Sequence, residues 1–199
     1  MFQFIESISF LNGSFLNLKL HNKRMNDTIF THFENCSFIN LETELKIPEN
    51  LDINILYKCR IIYGKQIEEF SFIPYSQKKI NSINLVEDNK IEYSYKYLNR
   101  LSLEKYVKEN NSDEILIIKN NFITDTSYSN IIFFNGNEWV TPSTFLLNGI
   151  GRQILLSKKL IVEKKINIDN LKKFTKFKLI NAMLSVEKSF TYDVDIIKI

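Results

Sequence analysis

Glycine is scarce in this chain, five in 199 residues, so two that stand one residue apart draw notice. Gly149-Ile150-Gly151-Arg152 lies between an irregular stretch holding Pro142 and a run with helical periodicity. A helix start built from small residues presents backbone N–H groups to an anion. The same residues also suit a plain loop-to-helix turn, and no Walker or dinucleotide pattern accompanies them. Lys96 sits in Tyr93-Ser94-Tyr95-Lys96-Tyr97-Leu98-Asn99-Arg100. An amine flanked by aromatics is partly desolvated, which favours the neutral, nucleophilic form that a Schiff base requires. Read without its neighbours it is one surface lysine among many. Asp125 lies in Ile123-Thr124-Asp125-Thr126-Ser127-Tyr128-Ser129-Asn130, between two apolar stretches. It reads either as a buried acid with a cationic partner or as an Asx turn. His21 and Arg24 share one face at helical spacing, as a ligand pair or as a solvated helix start. Phe133, Phe134 and Trp139 read as core.

The elements that must hold these residues can be outlined from pattern. Residues 4–9 alternate as a strand, Asn12-Gly13 is a hairpin signal, and 15–20 alternate again. A helix is expected over 21–33 and another around 49–53, behind Pro48. Strands are expected over 53–63 and 67–75, across a turn at Gly64-Lys65. Pro74 and the polar run Ser76-Gln77-Lys78-Lys79 mark a domain boundary, giving domains 1–75 and 76–199. In the second, strands are expected over 83–86, 91–95, 115–118, 122–124, 130–134, 139–141, 178–183 and 194–197. Helices are expected over 98–108, 150–160 and 171–174. The fold class is α+β, two small domains on mostly antiparallel sheets.

Composition narrows the function. Hydrophobic residues are 44% and charged residues 25%, ordinary globular usage. A net charge of +3 makes no case for nucleic acid. Two cysteines, two histidines and no C-x-x-C exclude a disulfide framework and a zinc site of known spacing. Apolar runs such as Ile115-Leu116-Ile117-Ile118 are too short to span a bilayer, and the N-terminus lacks a signal-peptide pattern. A soluble, cytoplasmic protein with no membrane partner is expected.

Taken in order, the motifs resemble the class IV aminotransferases, pyridoxal phosphate enzymes of fold type IV, on the side of 4-amino-4-deoxychorismate lyase. The arginine motif H-x-x-R is His21-Asn22-Lys23-Arg24. The lyase-like K-x-L-N-R is Lys96-Tyr97-Leu98-Asn99-Arg100. The long signature runs through Asp113-Glu114-Ile115-Leu116, Thr124-Asp125, Asn130-Ile131-Ile132-Phe133, Thr141-Pro142 and Gly149-Ile150-Gly151-Arg152. It ends on Asn181-Ala182-Met183.

The resemblance covers nearly the whole chain. It implies pyridoxal 5′-phosphate as cofactor, carried by Lys96 as a Schiff base, with Lys96 also moving protons. It implies phosphate binding by Arg24, by the backbone of Ile150 and Gly151, and by Asn181 and Ala182. Asp125 stands where the family has Glu, as partner of the pyridine nitrogen. Arg100, one turn beyond Lys96, is a candidate for a substrate carboxylate or the cofactor's phenolic oxygen, with a surface helix residue as the alternative. The implied assembly is a homodimer with the cofactor between the two domains, and the implied reaction forms 4-aminobenzoate and pyruvate in folate synthesis. A D-amino or branched-chain aminotransferase and an inactive cofactor-binding relative are the other readings. Family members carry a further strand and a Gly-rich F-E-T segment before H-x-x-R. This chain begins near that point, at Phe4-Ile5-Glu6-Ser7-Ile8, so a shortened N-terminal strand region is expected.

Overall fold

The computed structural model describes residues 2–183 and 185–198. They divide into two compact units. The first runs to Ser76 and takes in Tyr95–Asn99; the second holds Gln77–Ser94 and the chain from Arg100 onward.

The first unit opens on β1 (Phe4–Leu11) and β2 (Ser14–Phe15). Asn12 and Gly13 both take positive φ (52° and 74°), the geometry of a tight hairpin. The alternation expected over 15–20 does not continue as a strand. Asn17 turns left-handed (φ 57°) and α1 (Leu18–His32) begins at once. Helical spacing wins there because His21, Met25, Thr28 and Ile29 then share one buried face. The helix expected around 49–53 is absent. α2 is instead Leu41–Glu44, capped by Asn40 and anchored by the fully buried Leu41, while Asp52 accepts from Asn54 N in a turn (3.0 Å). β3 (Tyr57–Tyr63) and β4 (Ile67–Pro74) complete an antiparallel sheet of order β2-β1-β3-β4. Phe4, Ile8, Cys59, Ile61 and Tyr63 pack with Met25, Ile29 and Leu41 in its core.

The second unit begins with β5 (Ile83–Glu87), α3 (Leu101–Glu109), β6 (Glu114–Lys119) and β7 (Phe122–Thr126). It continues with β8 (Asn130–Phe134), β9 (Trp139–Pro142), α4 (Ile150–Ser157), β10 (Val162–Lys164) and α5 (Ile168–Leu171). β11 (Lys176–Ile180), β12 (Tyr192–Asp193), a 3-10 turn (Val194–Ile196) and β13 (Ile197–Lys198) close it. β5 and β6 are parallel, with α3 as their crossover helix. The sheets have orders β13-β5-β6-β7 and β10-β9-β8-β11-β12. Phe133, Phe177, Leu179, Ile123 and Ile131 lie in their common core. No helix among the described residues is long and apolar enough to cross a membrane.

No strand forms over 91–95, because the chain there leaves for the first unit's sheet. α3 accordingly starts at Leu101 and not at Leu98, whose N–H is bonded to the Gln3 carbonyl (2.9 Å). The helix expected over 171–174 lies earlier, where Asn167 and Asn170 cap each other reciprocally.

Candidate active site

In the first unit the site is built around an acid on the wrong face of a strand. Phe4 and Ile8 alternate toward α1, and Glu6 shares their face. The i, i+3 spacing of His21 and Arg24 brings both to its carboxylate. Arg24 Nε donates to Oε1 (2.7 Å) and Nη2 to Oε2 (2.6 Å), a two-bond fork. His21 Nδ1 lies 2.7 Å from Oε2. Glu6 and His21 are both fully buried. Burial alone would raise the Glu6 pKa. The Arg24 charge and the hydrogen bonds of His21 and Arg24 outweigh it and hold the carboxyl well below the usual range. Burial lowers the His21 pKa, with Arg24 and Lys96 adding to the effect against Glu6. The imidazole is therefore neutral near pH 7. Since the carboxylate can only accept, Nδ1 carries the proton, a tautomer assigned from the hydrogen bond. Nε2 is buried with no hydrogen-bond partner.

Lys96 reaches the same unit through its backbone. Ile5 N donates to the Lys96 carbonyl (2.8 Å), and Phe4 bridges Tyr97 antiparallel. The flanking tyrosines are packing residues: Tyr97 lies 5.2 Å from the Phe4 ring and Tyr95 4.3 Å from His32, centroid to centroid. Lys96 itself is half-buried, near enough for its charge to act on His21. The first unit thus brings Glu6, His21, Arg24 and Lys96 together. Sequence reasoning missed Glu6 as a candidate. Its signal was an acid at a position where the strand's alternation calls for an apolar residue.

In the second unit Asp125 is neither in an Asx turn nor in an ion pair. It lies within β7, and its bonded partners are amides. Oδ1 accepts from Asn130 Nδ2 (2.7 Å), and Oδ2 accepts from Leu146 N and Leu147 N (both 2.9 Å). Burial pushes its pKa up to about 6 against those bonds. The Asn130 amide also donates to the Leu147 carbonyl (2.9 Å). This network fixes the loop that leads into α4. Gly149 is the N-cap of α4, with no side-chain cap and no acid in the first turn. The leading N–H groups of such a helix form a positive end that suits an anion. A Cβ at Gly151 would lie 2.5 Å from the Asn181 carbonyl oxygen, so Ile150, Gly151, Asn181 and Ala182 meet in one small region. Asn181 is held in turn, accepting from Met183 N (2.8 Å).

Two arginines brace this arrangement. Arg100, the residue before α3, donates from Nη2 to the Ser127 carbonyl (2.6 Å), and its Nε is buried without a partner. Buried Glu114 accepts from Ser127 N on the other side of that turn (3.0 Å). Arg152 is buried, pairs with Glu163, and donates to Asn148 Oδ1 (3.1 Å) and the Pro142 carbonyl (3.2 Å). Among the described residues no group of three or more His, Cys, Asp or Glu is placed to hold a metal.

Residues 3–187 match the family model for class IV aminotransferases. The chain belongs to the class IV aminotransferase family. It is 33% identical over 186 residues to an uncharacterized protein of Haemophilus influenzae, covering 92% of this chain and 98% of that one. It is also similar to a crystal structure from Haemophilus somnus named a "putative 4-amino-4-deoxychorismate lyase". That match has TM-score 0.81 and 29% identity, covering 94% of this chain and 98% of the other. An aminotransferase from Brucella abortus, solved with pyridoxal phosphate bound, matches in fold. Its TM-score is 0.71 at 16% identity, over 91% of this chain and 78% of that one. The fold is that of the class IV aminotransferases, and the family depends on pyridoxal phosphate.

The residues of this family member suit that cofactor. The α4 start has no side-chain cap and no acid in its first turn, which suits a phosphate, and its glycines admit the close approach of Asn130 and Asn181. Asp125 uses three acceptor positions of about four on a carboxylate, which leaves one on Oδ1 for a ring N–H.

Proposed function

We propose that this chain binds pyridoxal 5′-phosphate on Lys96 and converts 4-amino-4-deoxychorismate to 4-aminobenzoate and pyruvate. One observation carries the cofactor half of this reading. The glycine-lined α4 start and the buried Asp125 are tied into one network through Asn130 and Leu147. The lyase half is supported by the Lys96-Tyr97-Leu98-Asn99-Arg100 segment and by the likeness to the Haemophilus somnus protein.

Bound pyridoxal phosphate supplies an electron sink. The chain's own residues do the rest. Arg24, the first N–H groups of α4, Asn181 and Ala182 bind the phosphate. Asp125 accepts from the ring nitrogen and keeps its proton in place. Lys96 takes the hydrogen beside the substrate's amino group, and departure of the enolpyruvyl group leaves an aromatic ring. The working form is a homodimer in the cytoplasm.

The test is direct. The purified protein incubated with the cofactor turns yellow, and borohydride fixes a pyridoxyl group to the Lys96 peptide. 4-Aminobenzoate and pyruvate appear with no added 2-oxo acid. A strict requirement for an oxo acid would make the protein an aminotransferase instead. A protein that stays colourless overturns the cofactor assignment.

A further inference from the structure

Glu6 is a fully buried carboxylate that the proposed chemistry leaves without a task. Its neighbours on the strand face include Phe4 and Ile8, a setting in which an apolar side chain is the ordinary occupant. What the carboxylate does instead is grip Arg24. Its two oxygens meet Nε and Nη2 at 2.7 and 2.6 Å, which fixes both the position and the plane of the guanidinium. His21 holds the carboxylate from a third direction at 2.7 Å. The imidazole is neutral, so it orients Glu6 without competing for its charge.

We propose that Glu6, anchored by His21, is a positioning residue that presets the Arg24 guanidinium for the cofactor's phosphate. The inference rests on the phosphate role given to Arg24 above. An arginine held in one orientation loses little further freedom when it meets a phosphate, and a loose one loses much. The opposite expectation follows from charge alone. Glu6 cancels the arginine's charge, so removing it would strengthen phosphate binding.

The two are separated by the affinities of 4-deoxypyridoxine 5′-phosphate and 4-deoxypyridoxine, which lack the aldehyde and so isolate the phosphate from attachment to Lys96. Calorimetry on wild type and Glu6→Gln reads both. In Glu6→Gln the amide can accept from one Arg24 nitrogen but sets its own N–H groups against the other donor. The preference for the phosphorylated ligand should fall roughly ten-fold or more. A preference that is unchanged or larger overturns the inference. An equal loss for both ligands, the mark of a purely structural role, does so too. If wild type shows no preference, the phosphate reading of Arg24 fails, and this inference with it. Should Glu6→Gln not fold, Arg24→Lys carries the test. Lysine keeps the charge beside Glu6 but offers no fork to be held, so the preference must fall here too, and an unchanged preference overturns the inference.

Discussion

Asn130 donates its side-chain amide to Asp125 Oδ1 at 2.7 Å and to the Leu147 carbonyl at 2.9 Å. One side chain thereby ties the acid of β7 to the loop that ends in Gly149 and α4. Its own Oδ1 fills the space on the far side, 2.1 Å from where a Cβ on Gly149 would stand. Acid and helix start are consequently coupled, and changes at either should be felt at both.

Gly151→Ala tests the close approach. The backbone at this position is helical, so alanine is locally acceptable, but its Cβ would stand 2.5 Å from the Asn181 carbonyl oxygen. That neighbour is backbone and cannot swing aside. The expected cost is about 1–3 kcal/mol of stability, seen in thermal melts, with a larger loss of cofactor affinity in titrations.

On the proposed pairing of Asp125 with the ring nitrogen, Asp125→Asn should lose most turnover. It should also change the pH dependence of stability. A carboxyl whose folded pKa is raised favours the protonated chain. Its contribution is complete below the ordinary value of 3.8 and is lost as pH climbs to about 6. At about 1.4 kcal/mol per unit this is about 3 kcal/mol, absent from the asparagine variant. Urea melts of both proteins at pH 4 and pH 7 should show wild type losing its margin over the variant as pH rises.

Arg24→Ala should weaken binding of the phosphorylated cofactor roughly ten- to a hundred-fold. It also leaves Glu6 buried without its charged partner, a loss of about 3 kcal/mol or more. Glu6 has a lowered folded pKa, so its stabilisation is present above its ordinary value of 4.5 and lost as pH falls. Without Arg24 that window closes. Acid unfolding of the variant, followed by circular dichroism, should begin at higher pH than in wild type.

Arg100→Ala separates a brace from a substrate ligand. The guanidinium is bonded to the Ser127 carbonyl, two residues past Asp125. Loss of a brace should lower kcat while KM for aminodeoxychorismate stays within about two-fold. A large rise in KM with kcat unchanged would assign Arg100 to a substrate carboxylate instead.

Much of this protein was decided by residues acting on their immediate neighbours. Asn12-Gly13 makes its hairpin because those two residue types tolerate positive φ, and no distant contact is needed. The start of α4 at Gly149-Ile150-Gly151 and the order of motifs from His21 to Met183 are likewise readable along the chain. The partners of the charged groups are not. Arg24 meets Glu6 across 18 residues, Arg100 meets Ser127 across 27, and Asp125 meets Leu147 across 22. The same holds for Tyr95–Asn99, which crosses back to lie along β1 although its composition suits a strand or a helix start. Residue type states which bonds a side chain can make. Which bond it does make depends on what packing places beside it once water is gone, since a buried charge must take the partner within reach. Only the folded chain specifies that neighbour.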